Sequence, residues 1–267
     1  MSSVSYLPEQ RRTEILATLS RGEPVSAAEL AIRFSVSEDA IRRDLRKLAA
    51  EGLCEKVYGG ALPVSPSAQP YSRRAGEDQS RKEALADTAL TLLKPRQCLF
   101  LDVGSTNALL ANKLPNHLDL TVVTNSVPVM ARLMDRPGIS LFALGGPVRS
   151  QAGGMTGAQA VSDIERYRFD LAFLGTCSLC PDTGVTAFDG DDAEVKRAAA
   201  RNSEKVAVMV TSEKLGLRLP HQVLPLNRID YLVFEKEMQS QSLHQYQTDR
   251  NRILTSGAER EDLETEG

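Results

Sequence analysis

One short segment of the chain, residues 35–51 (SVSEDAIRRDLRKLAAE), has cationic and aliphatic side chains at helical spacing. At about 100° per residue, one side of the helix carries Ile41, Leu45 and Leu48. The other side carries the cations Arg42, Arg43, Arg46 and Lys47. A guanidinium fork grips phosphate oxygens or the O6/N7 edge of guanine, and a short helix fits the major groove. The segment predicts a helix that binds double-stranded operator DNA; the alternative is an amphipathic helix with a solvated face.

The charge balance around this segment confines the chemistry to a few side chains. Residues 1–62 contain nine Lys or Arg and nine Asp or Glu. Because the bulk charge is neutral, affinity for DNA must come from the local cluster, helped by Lys56 and Tyr58. The predicted DNA-binding residues also include Ser26, Ser35, Ser37 and Ala40.

Helix-start and turn residues define the elements that hold the cationic segment. Ser26 and Glu29 have the spacing of a capping box, and Ser37 can cap the following helix. The predicted elements are helices over residues 8–20, 26–34 and 37–51, a strand over residues 53–57, and a second strand after a turn at residues 58–61. Three helices and a β-hairpin indicate a winged helix-turn-helix domain.

The rest of the chain alternates between apolar runs and helical stretches. The apolar runs cover residues 98–103, 120–123, 139–144, 171–174, 206–210 and 231–234. Helical stretches between them include residues 107–114, 127–134 and 193–202. Strands without polar alternation, interleaved with helices, predict a mostly parallel α/β sheet covered on both faces.

Polar or glycine-rich residues follow three consecutive predicted strands. They are Asp102, Gly104, Ser105 and Thr106, then Thr124, Asn125 and Ser126, and then Gly145 and Gly146. Backbone N–H groups, hydroxyls and a helix N-terminus suit an anion, although each motif alone is also typical of a plain strand-to-helix turn. Because the carboxyl ends of parallel strands meet at one sheet edge, the three sets together predict a ligand site.

The N-terminal part resembles the helix-turn-helix of the DeoR family of bacterial transcription regulators. Residues 25–60 carry the resemblance, through VSEDAIRRDLRKLAAEG and the YGGA wing. One departure is Ala40, where the family usually has Thr. A Thr there could touch a phosphate or a base methyl, so this chain is expected to read its operator differently.

The C-terminal part resembles the sensor domain of the same family, and the whole resemblance covers about residues 8–235. It continues through Gly157, Asp170, Phe173-Leu174-Gly175, Gly184-Val185-Thr186, Ala193-Glu194-Val195-Lys196 and Lys214-Leu215-Gly216. The resemblance implies a fold like that of ribose-5-phosphate isomerase and a phosphorylated sugar as effector.

The resemblance also implies a role for each site residue. Asp102 and Asn125 would hydrogen-bond sugar hydroxyls, and Ser105 and Thr106 would hold the phosphate. Positive charge would come from Lys196 and Lys214, with Glu194 near the sugar body.

A departure from the family pattern lies next to Lys214. The family commonly has D-x-S-K-F/W-G, whereas this chain has Thr211-Ser212-Glu213-Lys214-Leu215-Gly216. A carboxylate beside a phosphate site would repel the ligand unless it points away or pairs with Lys214. Lys214 can equally be read as a solvated lysine at a helix start.

Composition bounds the class of protein. The chain has 267 residues, of which 42% are hydrophobic, and its net charge is −3, which predicts two domains with cores of their own. We expect neither a membrane span nor a signal peptide. Four cysteines indicate no disulfide framework, so we expect a cytoplasmic protein. Cys177 and Cys180 form a C-x-x-C pair without the further ligands of a zinc site, and a redox role is weakly signalled.

The expected organisation has four parts. They are a DNA-binding domain (residues 1–62), a proline-rich linker (63–79), a sensor domain (80–255) and a disordered acidic tail (256–267). A second capping box, Ser80-Arg81-Lys82-Glu83, is expected to start a helix that ends near Leu93.

Two functions of different classes fit these patterns. The preferred one is a repressor of a carbohydrate operon, at least a homodimer, that needs no cofactor and responds to a sugar phosphate. The alternative is an isomerase-like enzyme carrying a DNA-binding module, with Glu194 as general base and Lys196 nearby. A dinucleotide site is disfavoured because no G-x-G-x-x-G loop follows the first sensor strand.

Overall fold

The computed structural model describes residues 7–20, 24–63, 69–238 and 240–257. The chain divides into two compact units, residues 1–69 and 70–267. The predicted fold class is confirmed: a winged helix-turn-helix precedes a mostly parallel α/β sheet.

The first unit is built from three helices and a small antiparallel sheet. Its helices are α1 (Pro8–Ser20), α2 (Ala27–Phe34) and α3 (Glu38–Ala50), and its strands are β1 (Val25–Ser26), β2 (Cys54–Val57) and β3 (Gly60–Pro63). The strand order is β1-β3-β2, so β1 is an addition to the predicted hairpin. Gly60 permits this pairing, because a Cβ atom there would lie 2.0 Å from the Val25 carbonyl oxygen.

The second unit is organised around a seven-stranded sheet in which all adjacent strands are parallel. Its strands are β4 (Cys98–Leu101), β5 (Leu120–Thr124), β6 (Ile139–Ala143), β9 (Phe169–Leu174), β12 (Ser203–Val210), β14 (Tyr231–Phe234) and β15 (Arg252–Thr255). The spatial order is β15-β14-β12-β9-β4-β5-β6. Six of these strands correspond to the predicted apolar runs; β15 was not predicted.

Helices cover both faces of this sheet, as expected for apolar strands. They are α4 (Tyr71–Gly76), α5 (Gln79–Leu90), α6 (Ser105–Lys113), α7 (Val127–Leu133), α8 (Ala158–Ile164), α9 (Gly190–Arg201) and α10 (Ser240–Leu243). One apolar core contains buried residues of α5, α6 and α7, and the other contains those of α8 and α9.

Several short strands follow the carboxyl ends of the main strands, and the sequence did not predict them. They are the hairpin of β7 (Val148–Arg149) and β8 (Gly154–Met155), and a small antiparallel sheet of β10 (Ser178–Cys180), β11 (Gly184–Ala187) and β13 (His221–Leu224). Runs of two to four residues are too short for a period-two pattern to stand out. Cys180 ends β10, and both Cys177 and Cys180 are free thiols.

The structure corrects the predicted boundaries on each side of the sensor. The linker was expected to reach Gln79, but α4 lies inside that range. The expected capping box is also wrong, because α5 begins at Gln79 after Asp78 (φ 51°), and Ser80 is already helical. Ser256 belongs to the fold: it is buried, and its N–H donates to the Phe234 carbonyl at 2.8 Å. Residues 64–68 of the predicted linker and 258–267 of the predicted tail lie outside the described residues.

Candidate DNA-binding helix and effector site

The serines of the helix-turn-helix are engaged by the backbone. Ser37 Oγ accepts from the Ala40 N–H at 3.3 Å, and Ser26 Oγ accepts from the Glu29 N–H at 3.5 Å. Ser35 adopts a left-handed conformation (φ 55°) that ends α2. These contacts set the turn between α2 and α3.

The predicted cations of α3 lie at the surface. Arg42 pairs with Glu38 at 2.8 Å, with both side chains about half exposed. Arg43 Nε donates to the Asp39 carbonyl, and Arg46 Nε donates to the Arg42 carbonyl. Exposed pairs of this kind contribute only about 0–1 kcal/mol, so these side chains can exchange their partners for phosphate or bases.

The other predicted DNA contacts differ in exposure. Lys47 and Lys56 are exposed, and Tyr58 at the wing tip is fully exposed, whereas Ala40 is half-buried. Tyr58 and the α3 arginines are therefore surface groups of one unit.

Asp44 is a positioning residue that the sequence reading missed. It is buried on the aliphatic side of α3 and accepts from Arg11 Nε at 3.0 Å and Nη2 at 2.8 Å. Arg12 Nη1 lies 3.5 Å from the same carboxylate. The signal was present, because Asp44 lies three residues from Ile41 and four from Leu48, on their side of the helix.

In the second unit, the polar residues that follow β4 and β5 come together as predicted. The Val103 N–H donates to Asp102 Oδ1 at 2.8 Å and to Asn125 Oδ1 at 3.2 Å. Thr124 Oγ1 donates to the Leu101 carbonyl and accepts from the Ser126 N–H. All of these side chains are buried, so they hold the two strand ends in a fixed geometry.

A buried ion cluster lies at the same edge. Lys196 Nζ lies 2.9 Å from Asp102 Oδ2 and 2.5 Å from Asp192 Oδ1, and all three side chains are buried. Asp102 Oδ2 also accepts from the Gly175 N–H at 2.8 Å. Burial alone lowers the pKa of the Lys196 ammonium, but the two carboxylates raise it above its ordinary value. Lys196 therefore stays charged and locks α9 to the end of β4.

Glu194 is not part of this cluster, and its expected position near a sugar body remains a prediction. It is exposed and pairs with Arg197 on the outer side of α9. The reason is helical geometry: Asp192 and Lys196 are four residues apart and share a side, whereas Glu194 is rotated about 200° from each. Asp192 is the carboxylate that the sequence reading missed.

The N-terminus of α6 has uncapped backbone N–H groups. Gly104 precedes it with φ 155°, and no side chain caps it. Ser105 and Thr106 are buried (7% and 6% exposed), and within the described residues no hydrogen bond engages their hydroxyls. Uncapped N–H groups with two adjacent hydroxyls form an anion site when the helix dipole points its positive end there.

Two buried threonines at this edge also have hydroxyls without a partner among the described residues. They are Thr156, after β8, and Thr176, after β9. An unsatisfied buried hydroxyl costs about 1–3 kcal/mol, which makes each a candidate ligand contact.

The departure at residues 211–214 is compensated within the fold. Glu213 accepts from Arg81 Nη2 at 3.0 Å and from Thr211 Oγ1 at 2.5 Å, so its charge is paired. Arg81 also holds Glu235 at 2.7 Å. The Glu213 carboxylate thus pairs with Arg81 of α5 and not with Lys214. The sequence left open whether this carboxylate would point away from Lys214 or pair with it. Lys214 is half-buried, and burial lowers its pKa to about 8.

The glycines after β6 shape the neighbouring turn. The Gly145 N–H donates to Asp163 Oδ2 at 2.9 Å, and Gly146 has φ 123°, which favours glycine. Their predicted contact with an effector remains a prediction.

In the described residues, no group of three or more His, Cys, Asp or Glu has the arrangement of a metal site. The helices of the same residues include none that is long and apolar enough to cross a bilayer.

Comparisons with known proteins identify both units. Residues 11–67 match the model of the DeoR-like helix-turn-helix domain, and residues 77–236 match that of the DeoR C terminal sensor domain. The chain is 34% identical over 208 residues to the glycerol-3-phosphate regulon repressor of Escherichia coli, covering 78% of this chain and 82% of that protein. It is 29% identical over 238 residues to a putative aga operon transcriptional repressor of Escherichia coli O157:H7, covering 88% of each.

Solved structures give weaker likenesses. Ribose 5-phosphate isomerase A from Methanocaldococcus jannaschii is 21% identical, with a TM-score of 0.39 over 52% of this chain and 55% of that chain. The eIF2B beta subunit from Chaetomium thermophilum is 12% identical, with a TM-score of 0.45 over 86% of each chain.

Proposed function

Because the chain belongs to the DeoR family of transcriptional regulators, we propose that it represses a carbohydrate operon under the control of a phosphorylated sugar. DNA binding is the task of α3 and the wing. Effector binding is the task of the carboxyl edge of the parallel sheet. The protein is not an enzyme in this proposal, since its relatives are regulators and the candidate base Glu194 is exposed.

The observation that carries the effector proposal is the uncapped start of α6 beside the buried Lys196 cluster. The N–H groups and the hydroxyls of Ser105 and Thr106 suit a phosphate. Asp102, Asn125 and Asp192 lie at the same edge and suit sugar hydroxyls, which both donate and accept hydrogen bonds. One region thus offers complementary partners for both ends of a sugar phosphate.

The DNA-binding proposal is supported by the exposure of the α3 cations in a neutral domain. Arg42, Arg43 and Arg46 stand on a helix fixed by the Asp44–Arg11 pair. A fixed helix with guanidinium groups fits base readout in the major groove. We further propose a homodimer or a higher homo-oligomer, because two recognition helices at fixed spacing read a two-fold operator. We also propose that the protein acts in the cytoplasm, where it would have access to both DNA and phosphorylated sugars.

A binding assay tests the proposal directly. An operator duplex is first selected from a random DNA library with the full chain, and its affinity is measured by fluorescence anisotropy at fixed salt. Sugar phosphates of three to six carbons are then added, with glycerol 3-phosphate included because a relative is named for its regulon. The expected result is a shift in operator affinity with a phosphorylated compound but not with the matching free sugar. If no duplex is enriched, the DNA-binding assignment is wrong.

A further inference from the structure

Helix α4 is the first element of the second unit and was expected to be linker. Its position is fixed by three sets of contacts within that unit. Tyr71 packs on Gly153, where an added Cβ atom would lie 2.7 Å from the ring. Arg74 Nη2 donates to the Gln151 and Ala152 carbonyls at 3.1 and 3.4 Å. Lys82 Nζ donates to the Arg74 carbonyl at 2.6 Å, which anchors the end of α4 to α5.

The hairpin that receives Arg74 belongs to the candidate effector site. Gly154 forms a bridge with Ser126, and the Met155 N–H donates to the Asn125 carbonyl at 2.8 Å. The next residue along the hairpin is Thr156, whose buried hydroxyl has no partner in the described part of the chain. Arg74 therefore ties α4 to the loop that carries part of the site.

Arg74 also belongs to a group of cations around this edge. Burial lowers the pKa of Arg74, and the negative charge of Asp192 acts against that shift. Burial likewise lowers the pKa of Lys214, and the nearby charges of Arg74 and Lys82 lower it further. Asp192 is a member of the buried cluster with Lys196. Arg74 therefore interacts electrostatically both with this cluster and with Lys214. Cations crowded in this way are stabilised by a bound dianion.

We propose that Arg74 binds the phosphate of the effector and transmits its presence to the DNA-binding unit through α4. The guanidinium has five donors, so it can bind a phosphate while keeping or exchanging its contacts with the hairpin carbonyls. Because α4 directly follows the segment that joins the two units, a change in the contacts of Arg74 acts on the chain that leads to α3. This inference rests on the proposed function and adds a binding residue and a route of regulation to it.

The test compares Arg74→Gln with Arg73→Gln, a control on the same short helix. Arg73 is exposed and pairs with Glu77 by 3.2 Å, so its removal takes away an equal charge without touching the hairpin. Operator affinity is measured for each full-length variant with no effector, with inorganic phosphate, and with the sugar phosphate that shifts the wild type. The melting temperature without ligand shows that each variant is folded, and Arg74→Met, which also removes the charge, replaces Arg74→Gln if the latter is not folded.

The expected result is that Arg74→Gln needs at least tenfold more effector than the wild type for a half-maximal shift from its own effector-free operator affinity. Arg73→Gln should respond like the wild type. An Arg74→Gln protein that responds at the wild-type effector concentration would overturn the inference alone. If the wild type responds to no sugar phosphate, the proposed function is wrong, and this inference is wrong with it.

Discussion

Helix α3 and the carboxyl edge of the sheet use similar residue types in opposite ways. On α3 the cations are exposed and come from one continuous stretch, residues 42–47. At the sheet edge the charged groups are buried and come from residues as distant as Asp102 and Lys196. The difference fits the two proposed ligands, since DNA brings its phosphates to a surface, whereas a small molecule must be enclosed.

This comparison has an energetic consequence. Exposed ion pairs such as Arg42–Glu38 can be broken with little effect on folding. Removing one partner of a buried pair leaves an uncompensated charge and costs several kcal/mol. Function and stability should therefore separate at α3 and be coupled at the sheet edge.

The largest effect is expected for Lys196→Met. The substitution leaves Asp102 and Asp192 buried without their cation, and we expect the second unit to lose about 3–5 kcal/mol of unfolding free energy. Urea unfolding followed by circular dichroism measures this loss. Glu194→Gln on the same helix is the control and should stay within about 0.5 kcal/mol of the wild type. Equal stabilities for the two variants would contradict the buried ion cluster.

The second prediction concerns the double substitution Arg42→Ala and Arg43→Ala. Operator affinity should fall about 100-fold, corresponding to ~2.7 kcal/mol, while thermal stability changes little, because both side chains are exposed. Fluorescence anisotropy and a melting curve on the same samples measure the two quantities. Arg201→Ala removes an exposed cation from the sensor unit and should leave operator affinity unchanged. If the melting temperature falls together with the operator affinity, function and stability are not separable at α3, and the prediction is wrong.

The third prediction is a pH dependence at the sheet edge. The pKa of Lys214 is about 8 in the free protein, and a bound phosphate favours its charged form. Effector affinity should therefore fall about twofold between pH 7 and 8 and then about tenfold for each further pH unit, until the pH reaches the raised pKa of Lys214 in the complex. The phosphate is already a dianion in this range and does not titrate. Isothermal titration calorimetry measures the profile, and Lys214→Arg should abolish the decline; a decline that persists in that variant assigns it to another group.

The smallest effects are expected at two helix caps, one in each region. Ser37 caps α3 at the surface, and Ser126 caps α7 in the interior. Replacing either by Ala should cost about 0.5–2 kcal/mol, with the larger loss for Ser126 because water cannot replace its hydroxyl. Urea unfolding of both variants measures the difference. A larger loss at Ser37 would reverse the expected order.

The sequence by itself determined the elements whose signals are local. Helical spacing and capping residues predicted α1, α2 and α3 to within a few residues, and apolar runs predicted six strands of the parallel sheet. Local signals also placed Asp102, Thr124 and Asn125 at strand ends, and parallel topology brought those ends to one edge. These inferences succeeded because hydrogen bonding and burial impose fixed periods on neighbouring residues.

Tertiary structure alone decided which charged groups meet. It paired Lys196 with Asp102 and Asp192, placed Glu194 outside, and matched Glu213 with Arg81 on another helix. No local pattern contains these pairings, because they depend on how helices pack on the sheet, and the most distant pair, Arg81 and Glu213, is separated by 132 residues of chain. The same packing also decided that residues 71–76, which were predicted to be linker, form helix α4 and contact the sensor unit through Arg74.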